Sequence, residues 1–275
     1  MTFPLKNGNY PLLARQKLIH LFIFIIGLCV GSFLNVCIYR LPRNQSILHP
    51  SSHCPNCQNS LKWYDNIPLL SYFLLEGKCR NCHTSISARY PLVEILTGIL
   101  FLLSFLHHPI SLSFSSSLLF LKDLIFISLL LPIFFIDLEN QIIPNSLSYT
   151  IIVTGLIFSG LTGSLLPNLT GALIGGGLFL AIHLLGSFFL KEEAMGMGDI
   201  KLAAGIGAFL GWKIGLICFF ISFLLGAVIV IILLLTHLKK RKDKIPFAPF
   251  LIGAALISLF LGDKLLYFYL SCIYC

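Results

Sequence analysis

Charged side chains are scarce in this sequence: 11% of its 275 residues, with 11 acidic groups against 19 Lys and Arg. Soluble domains are about one-quarter charged, so a large water-exposed globule with its own core is excluded. No small-residue cleavage site follows the first strongly apolar run, about Ile19 to Ile38. That run is therefore expected to stay as a membrane span and not to be removed as a signal peptide. The halves of the chain show no convincing similarity to each other, which weakens a transporter built from repeats. Lys and Arg are absent from His107 to Ser117 and from Thr162 to Asn168, as expected of loops on the outer face of a membrane.

What fills the chain is apolar: 57% hydrophobic residues, 13% aromatic, and a mean hydropathy of +0.91. A hydrocarbon core about 30 Å thick takes roughly 20 apolar residues per helix, and backbone crossing it must satisfy its own hydrogen bonds. Apolar runs broken by charge, Pro and Gly predict an all-α polytopic membrane protein with about eight transmembrane helices. They fall near 19–38, 92–107, 116–136, 147–163, 168–190, 200–212, 214–236 and 247–271, the sixth being short. The expected organisation is an N-terminal segment with the first span over 1–38, a four-cysteine loop over 39–91, and a seven-span unit over 92–275.

The net charge of +8 does not point to nucleic acid, because the basic residues fall in short clusters between apolar runs. Six lie between Tyr39 and Tyr90 (Arg40, Arg43, Lys62, Lys78, Arg80 and Arg89), and five more between Lys239 and Lys244. Cytoplasmic loops carry such an excess, so both stretches are expected inside. Six spans then separate them, and that even number requires the short sixth span to be real. Lys6, Arg15 and Lys17 fall outside in this topology, against the rule, and are outweighed by the larger cluster.

Two aspartates share a depth in this scheme. Asp137 follows the apolar run Leu129 to Ile136 at the inner end of the third span, and Asp199 opens the sixth in Met-Gly-Met-Gly-Asp-Ile-Lys. The two spans between them return the chain to the same face. Two carboxylates in one site hold a single proton between them. The ionised member takes a proton from water attacking a peptide carbonyl, and the protonated member donates to the carbonyl oxygen. No metal or nucleophilic Ser is needed. Gly196 and Gly198 would let backbone approach a substrate strand, and Pro144 would end or kink the chain after Asp137. Taken singly, each aspartate has a plainer reading: Asp137 ends a helix at the interface, and Asp199 caps the next.

Gly-Met-Gly-Asp matches the GxGD motif of membrane-embedded aspartyl proteases, and the chain resembles the type IV prepilin leader peptidases more narrowly. The matching segments are Gly31 to Pro42 (GSFLNVCIYRLP), Cys54 to Cys57, Leu61 to Ser71, Gly77 to Cys82, Ile86 to Glu94, Phe135 to Asp137 and Gly196 to Leu202, in the family's order. The resemblance implies an aspartic endopeptidase of the bacterial cytoplasmic (inner) membrane, its active site facing the cytoplasm. It implies removal of the short basic leader of type IV prepilins and pseudopilins, with Asp137 and Asp199 in the catalytic places. It also implies N-methylation of the new N-terminal residue from S-adenosylmethionine. Asn145 departs from the pattern, where an Asp often follows the Pro. Glu139, Glu192 and Glu193 are expected on the same face as the pair, either attracting a basic leader or simply solvated.

Cys54, Cys57, Cys79 and Cys82 form C-x2-C-x21-C-x2-C, close to the four-thiolate spacing that holds tetrahedral zinc. A cytoplasmic location keeps thiols reduced and favours zinc over disulfides. Four sulfurs leave no open position for water, so the metal's role is structural. His53 and His83 beside the knuckles read as bystanders, and Trp63, Tyr64 and Tyr72 as packing groups. The chain lacks the Gly-rich strand-to-helix fingerprint of the usual nucleotide-binding fold, so the methyl donor's place is not marked. Glu94 and Asn35, polar groups in apolar surroundings, are candidates for it; hydrogen bonding between helices explains them equally well. Cys29, Cys37, Cys218, Cys272 and Cys275 read as small apolar residues. His107, His108, His183 and His237 show no ligand spacing. Gly171 to Gly175 and Gly207 to Gly211 read as close helix packing. A transporter or channel using the acidic residues, and a non-catalytic zinc scaffold, are the competing readings.

Overall fold

The computed structural model describes residues 10–109, 114–190, 195–236 and 245–274. They are almost entirely helical: α1 (Tyr10–Arg40), a short α2 (Leu70–Leu74), α3 (Arg89–His107), α4 (Phe114–Asn140), α5 (Asn145–Leu161), α6 (Leu165–Leu190), α7 (Met197–Leu235) and α8 (Ala248–Tyr274). Among the described residues there is no strand, only two isolated bridges in the cysteine loop. Six helices are long and apolar enough to cross a membrane, and Asn145–Leu161 is shorter. The chain is thus a multi-pass helical membrane protein. Proline marks several starts: Pro91, Pro167 and Pro249 fall in first turns and Pro144 precedes α5, positions whose N–H has no helical acceptor in any case.

Two compact units divide the chain, one over 1–36 and 48–109, the other over 37–47 and 110–275. In the first, α1 and α3 run antiparallel. A Cβ on Gly27 would lie 2.6 Å from the Gly98 Cα, and one on Gly31 would lie 2.7 Å from the Glu94 Cα. One turn further along α1, Asn35 Nδ2 donates to the Tyr90 carbonyl at 3.0 Å. Numbers rise on one helix as they fall on the other, and the glycines let the backbones touch. The cysteine loop closes one end of this pair.

The second unit is built around Phe126 of α4 and Phe209 of α7, stacked at 4.4 Å between centroids. Its most informative feature is Gly211, at φ 75° and ψ 172° inside the α7 range. Those angles are essentially restricted to glycine. Eight residues of unbroken helix separate Cα atoms by about 12 Å, yet the Gly207 Cα lies 3.9 Å from where a Gly215 Cβ would sit. The chain doubles back there, so α7 is two arms, 197–210 and 212–235. They correspond to the sixth and seventh expected spans. The first arm is only about 21 Å long. Gly207 and Gly211 both lie directly against Gly171 of α6, and Gly175 against Ala203, as close packing requires; Gly211 is in addition the break itself.

A broken helix frees carbonyls that lipid cannot satisfy. Asn168 of α6 meets this need, donating Nδ2 to Ala208 O at 2.9 Å and to Phe209 O at 3.4 Å. These carbonyls would otherwise accept from Trp212 and Lys213, across the break.

Candidate functional site

Burial of the turns before Asp137 explains its position. Leu130, Leu131, Ile133 and Ile136 in α4 are all shut off from solvent, which carries Asp137 to 5% exposure. One carboxylate oxygen accepts the backbone N–H of Ala248, the first residue of α8. That N–H belongs to a first turn and has no intrahelical acceptor. The other oxygen, Oδ2, is buried without a partner.

Asp199 is the third residue of α7; its backbone N–H donates to the Gly196 carbonyl at 3.1 Å, and its carboxylate lies back beside Gly196, the residue capping that helix. Its Oδ1 is buried without a partner, and the carboxylate interacts electrostatically with Asp137. A Cβ on Gly196 would press on Asp199 Oδ2 at 3.2 Å. A Cβ on Gly198 would meet the Ile143 Cβ at 2.8 Å, so the second glycine lets α7 start hard against the segment that follows Asp137.

Three further contacts were not read from the sequence. The Ala248 N–H on Asp137 joins positions 111 residues apart, and its only local sign is the proline-bracketed Pro246-Phe-Ala-Pro249 at a helix start. His183 Nδ1 bonds the Met195 carbonyl at 2.7 Å, steadying the residue before the motif. Lys201 Nζ donates to Asn145 Oδ1 at 2.8 Å and lies over the Tyr149 ring at 5.1 Å. Asn145, the departure from the family pattern, thus ties the start of α5 to the first turn of α7. Glu139 is exposed, whereas Glu192, Glu193 and the basic run over 239–244 lie outside the described residues.

The two cysteine knuckles repeat one another. Cys54 and Cys79 each receive the turn-closing N–H of the residue four ahead, Gln58 and His83, both at positive φ, and each donates to the residue five ahead. The four sulfur atoms lie within 4.8 Å of one another, with Cys54–Cys82 at 3.7 Å and Cys57–Cys79 at 4.0 Å. Zn–S bonds of 2.3 Å in a tetrahedron require sulfur pairs about 3.8 Å apart. None of the four is disulfide-bonded, and the cluster could hold a metal ion. Hydrogen bonds from Thr84, and then from Asn56, pull the Cys82 thiol down to about 5, already the form a metal binds. The Asn59 N–H pulls Cys57 the same way but is overcome by desolvation and by bonding among the thiols, leaving it at about 11. Tyr72 packs under Gly77, and Arg80 bridges to Asp65 at 2.7 Å beneath the Tyr64 ring. Trp63, expected to pack, is 80% exposed and meets only the edge of Tyr64, at 5.5 Å between centroids.

Asn35 and Glu94 meet the two readings differently. Glu94 is buried and accepts the Leu69 N–H at 2.8 Å. Asn35 spends its amide on Gly31 and Tyr90, and its Oδ1 is buried with no partner.

The chain matches the bacterial peptidase A24 N-terminal domain over residues 25–108 and the type IV leader peptidase family over residues 124–231. Among curated proteins, a prepilin leader peptidase/N-methyltransferase of Legionella pneumophila is 36% identical over 96% of this chain and 96% of its own length. The protein of that name from Pseudomonas aeruginosa is 34% identical over 90% and 92%. One from Myxococcus xanthus is 41% identical over 78% of this chain and 63% of its own length. No solved structure matches the chain. The relatives lend nothing to a transporter or channel. With both aspartates inside or beside the helix ends that the second match covers, and the full-length relatives spanning nine-tenths or more of the sequence, this chain belongs to the type IV leader peptidase family.

Proposed function

We propose that Asp137 and Asp199 are the proteolytic pair of a bifunctional enzyme that removes the basic leader of type IV prepilins and pseudopilins and methylates the new N-terminus. The two activities are those for which the relatives are named. The observation that carries the reading is the matching state of the two carboxylates: each keeps one buried oxygen without a partner, and the two groups interact electrostatically. The free oxygens are those available to pass a proton to and from an attacking water. Asp199, desolvated beside another carboxylate, suits sharing one proton with it.

The cysteine cluster suits structural zinc, held by Cys54, Cys57, Cys79 and Cys82, because four sulfurs complete a tetrahedron. S-adenosylmethionine supplies the methyl group. Of the two polar candidates for it, Asn35 retains a free buried acceptor and Glu94 is already engaged. We place the protein in the bacterial inner membrane with the pair at the cytoplasmic face, from the distribution of basic residues. Its partners are then prepilin-type proteins and lipid, without nucleic acid.

Membranes containing the wild type, Asp137→Asn or Asp199→Asn, incubated with a prepilin, test the assignment. Each variant is expected to lose about 10²- to 10⁴-fold in leader removal, and full cleavage by either sinks it. A labelled methyl-donor assay on Asn35→Ala and Glu94→Ala tests the second activity. Loss confined to methylation marks a donor-site residue.

A further inference from the structure

The cysteine loop carries an apolar face that nothing in its own unit covers. Leu70, Phe73 and Leu74 of α2 are 53%, 68% and 74% exposed, and positions i, i+3 and i+4 lie on one side of a helical turn. Trp63, 80% exposed, lies in the short helical turn Trp63–Asn66 that packs beside α2. Four apolar groups in adjoining turns are a patch, and a patch of this kind marks an interaction surface.

The attachment of α2 says which partner it meets. The backbone N–H of Leu69, the residue before α2, is bound at 2.8 Å by the Glu94 carboxylate. Leu69 stands at φ 59° to do so, an uncommon conformation for a residue of its size. Glu94 lies five residues into α3, about 7.5 Å along its axis. α3 has 19 residues, about 28 Å, which is barely the thickness of a hydrocarbon core. Arg89 must therefore sit at the edge of the core, and Glu94 within it. A segment tied to Glu94 is held at the bilayer boundary. The flanking segment 62–89 carries Lys62, Lys78, Arg80 and Arg89 against Asp65 and Glu76, and Asp65 and Arg80 pair with each other. That basic surplus in the segment that presents exposed Leu, Phe and Trp complements an anionic headgroup surface.

We infer that α2 and Trp63 are an interfacial anchor, inserted at the boundary between anionic lipid headgroups and acyl chains and laying the metal-binding knuckles on the membrane surface. The inference rests on the chain being a multi-pass membrane protein and is independent of which residues cleave substrate. Glu94 is on this account a positioning residue, setting the depth of α2.

Trp212→Phe leaves Trp63 as the sole tryptophan of the full-length protein. In nanodiscs containing anionic lipid, Trp63 is expected to emit to the blue of a water-exposed tryptophan. Iodide should quench it severalfold less than in denaturant, and lipids brominated near the headgroup should quench it more than lipids brominated deep in the chain. Phe73→Trp in a Trp63→Phe, Trp212→Phe background reads α2 directly and should behave alike. Adding Leu70→Asp and Leu74→Asp should restore iodide access, with metal content unchanged as the sign that the knuckles remain folded. Free iodide access in nanodiscs, or no quenching by either brominated lipid, overturns the anchor. Protection that appears only with several copies per disc, or only on adding prepilin, overturns it too, and assigns the face to a second copy or to substrate.

Discussion

Two glycines and an asparagine set the geometry around the paired carboxylates. Gly198 has no room for a methyl group because the Ile143 Cβ would lie 2.8 Å from it, so Gly198→Ala must push α7 away from the segment after Asp137. Its effect is expected on the chemistry: kcat for leader removal should fall at least about tenfold, the scale on which small misplacements act, with KM little changed. A proportional rise in KM alone would contradict that. Asn145→Asp tests the other contact. It turns the 2.8 Å Lys201 hydrogen bond into an exposed ion pair, worth at most about 1 kcal/mol. A small rise in melting temperature with unchanged cleavage is expected. Asn145 was legible only as a departure from a pattern; its partner, 56 residues away, was not.

At the scale of elements, apolar run length located the spans, because a fixed hydrocarbon thickness demands it. The described helices extend a few residues past those runs, as with Arg89–His107 for 92–107 and Phe114–Asn140 for 116–136, since polar end turns can lie outside the core. Run length could not distinguish a packing glycine from a hinge. Gly207 and Gly211 carry the same local signal and both meet Gly171 of α6, yet only Gly211 is also a reversal. Asn168→Leu should expose this economy of hydrogen bonds: it strands the Ala208 and Phe209 carbonyls, each costing about 1–3 kcal/mol. Gly211→Ala forces a side chain into a glycine-only conformation at about 1–3 kcal/mol. Thermal unfolding in detergent should show both losses, and a Gly211→Ala protein as stable as wild type would refute the hairpin.

For the whole molecule, the division into two units separates the cysteine cluster from the aspartate pair. All four cysteines belong to the first unit, and Asp137, Asp199 and Ala248 to the second. Cys57→Ser with Cys79→Ser should remove bound metal, read as metal content per chain, yet reduce leader cleavage far less than Asp137→Asn does. Metal binding by thiolates competes with protons, so affinity should weaken as pH falls, and loading should release protons. A pH-independent affinity would remove the thiolate site.

Sequence alone determined the membrane class and the approximate spans, and it singled out the paired cysteines and the two aspartates, because each is written in local terms: composition, run length, spacing and motif. Tertiary structure decided what depends on approach between distant segments. It decided that Ala248 meets Asp137, that Asp199 interacts with Asp137, and that α7 reverses at Gly211. It also decided that Trp63 faces outward, with only the edge of Tyr64 against it. Hydrogen bonds and burial are properties of pairs and surroundings, and neither is carried by a single position in the chain.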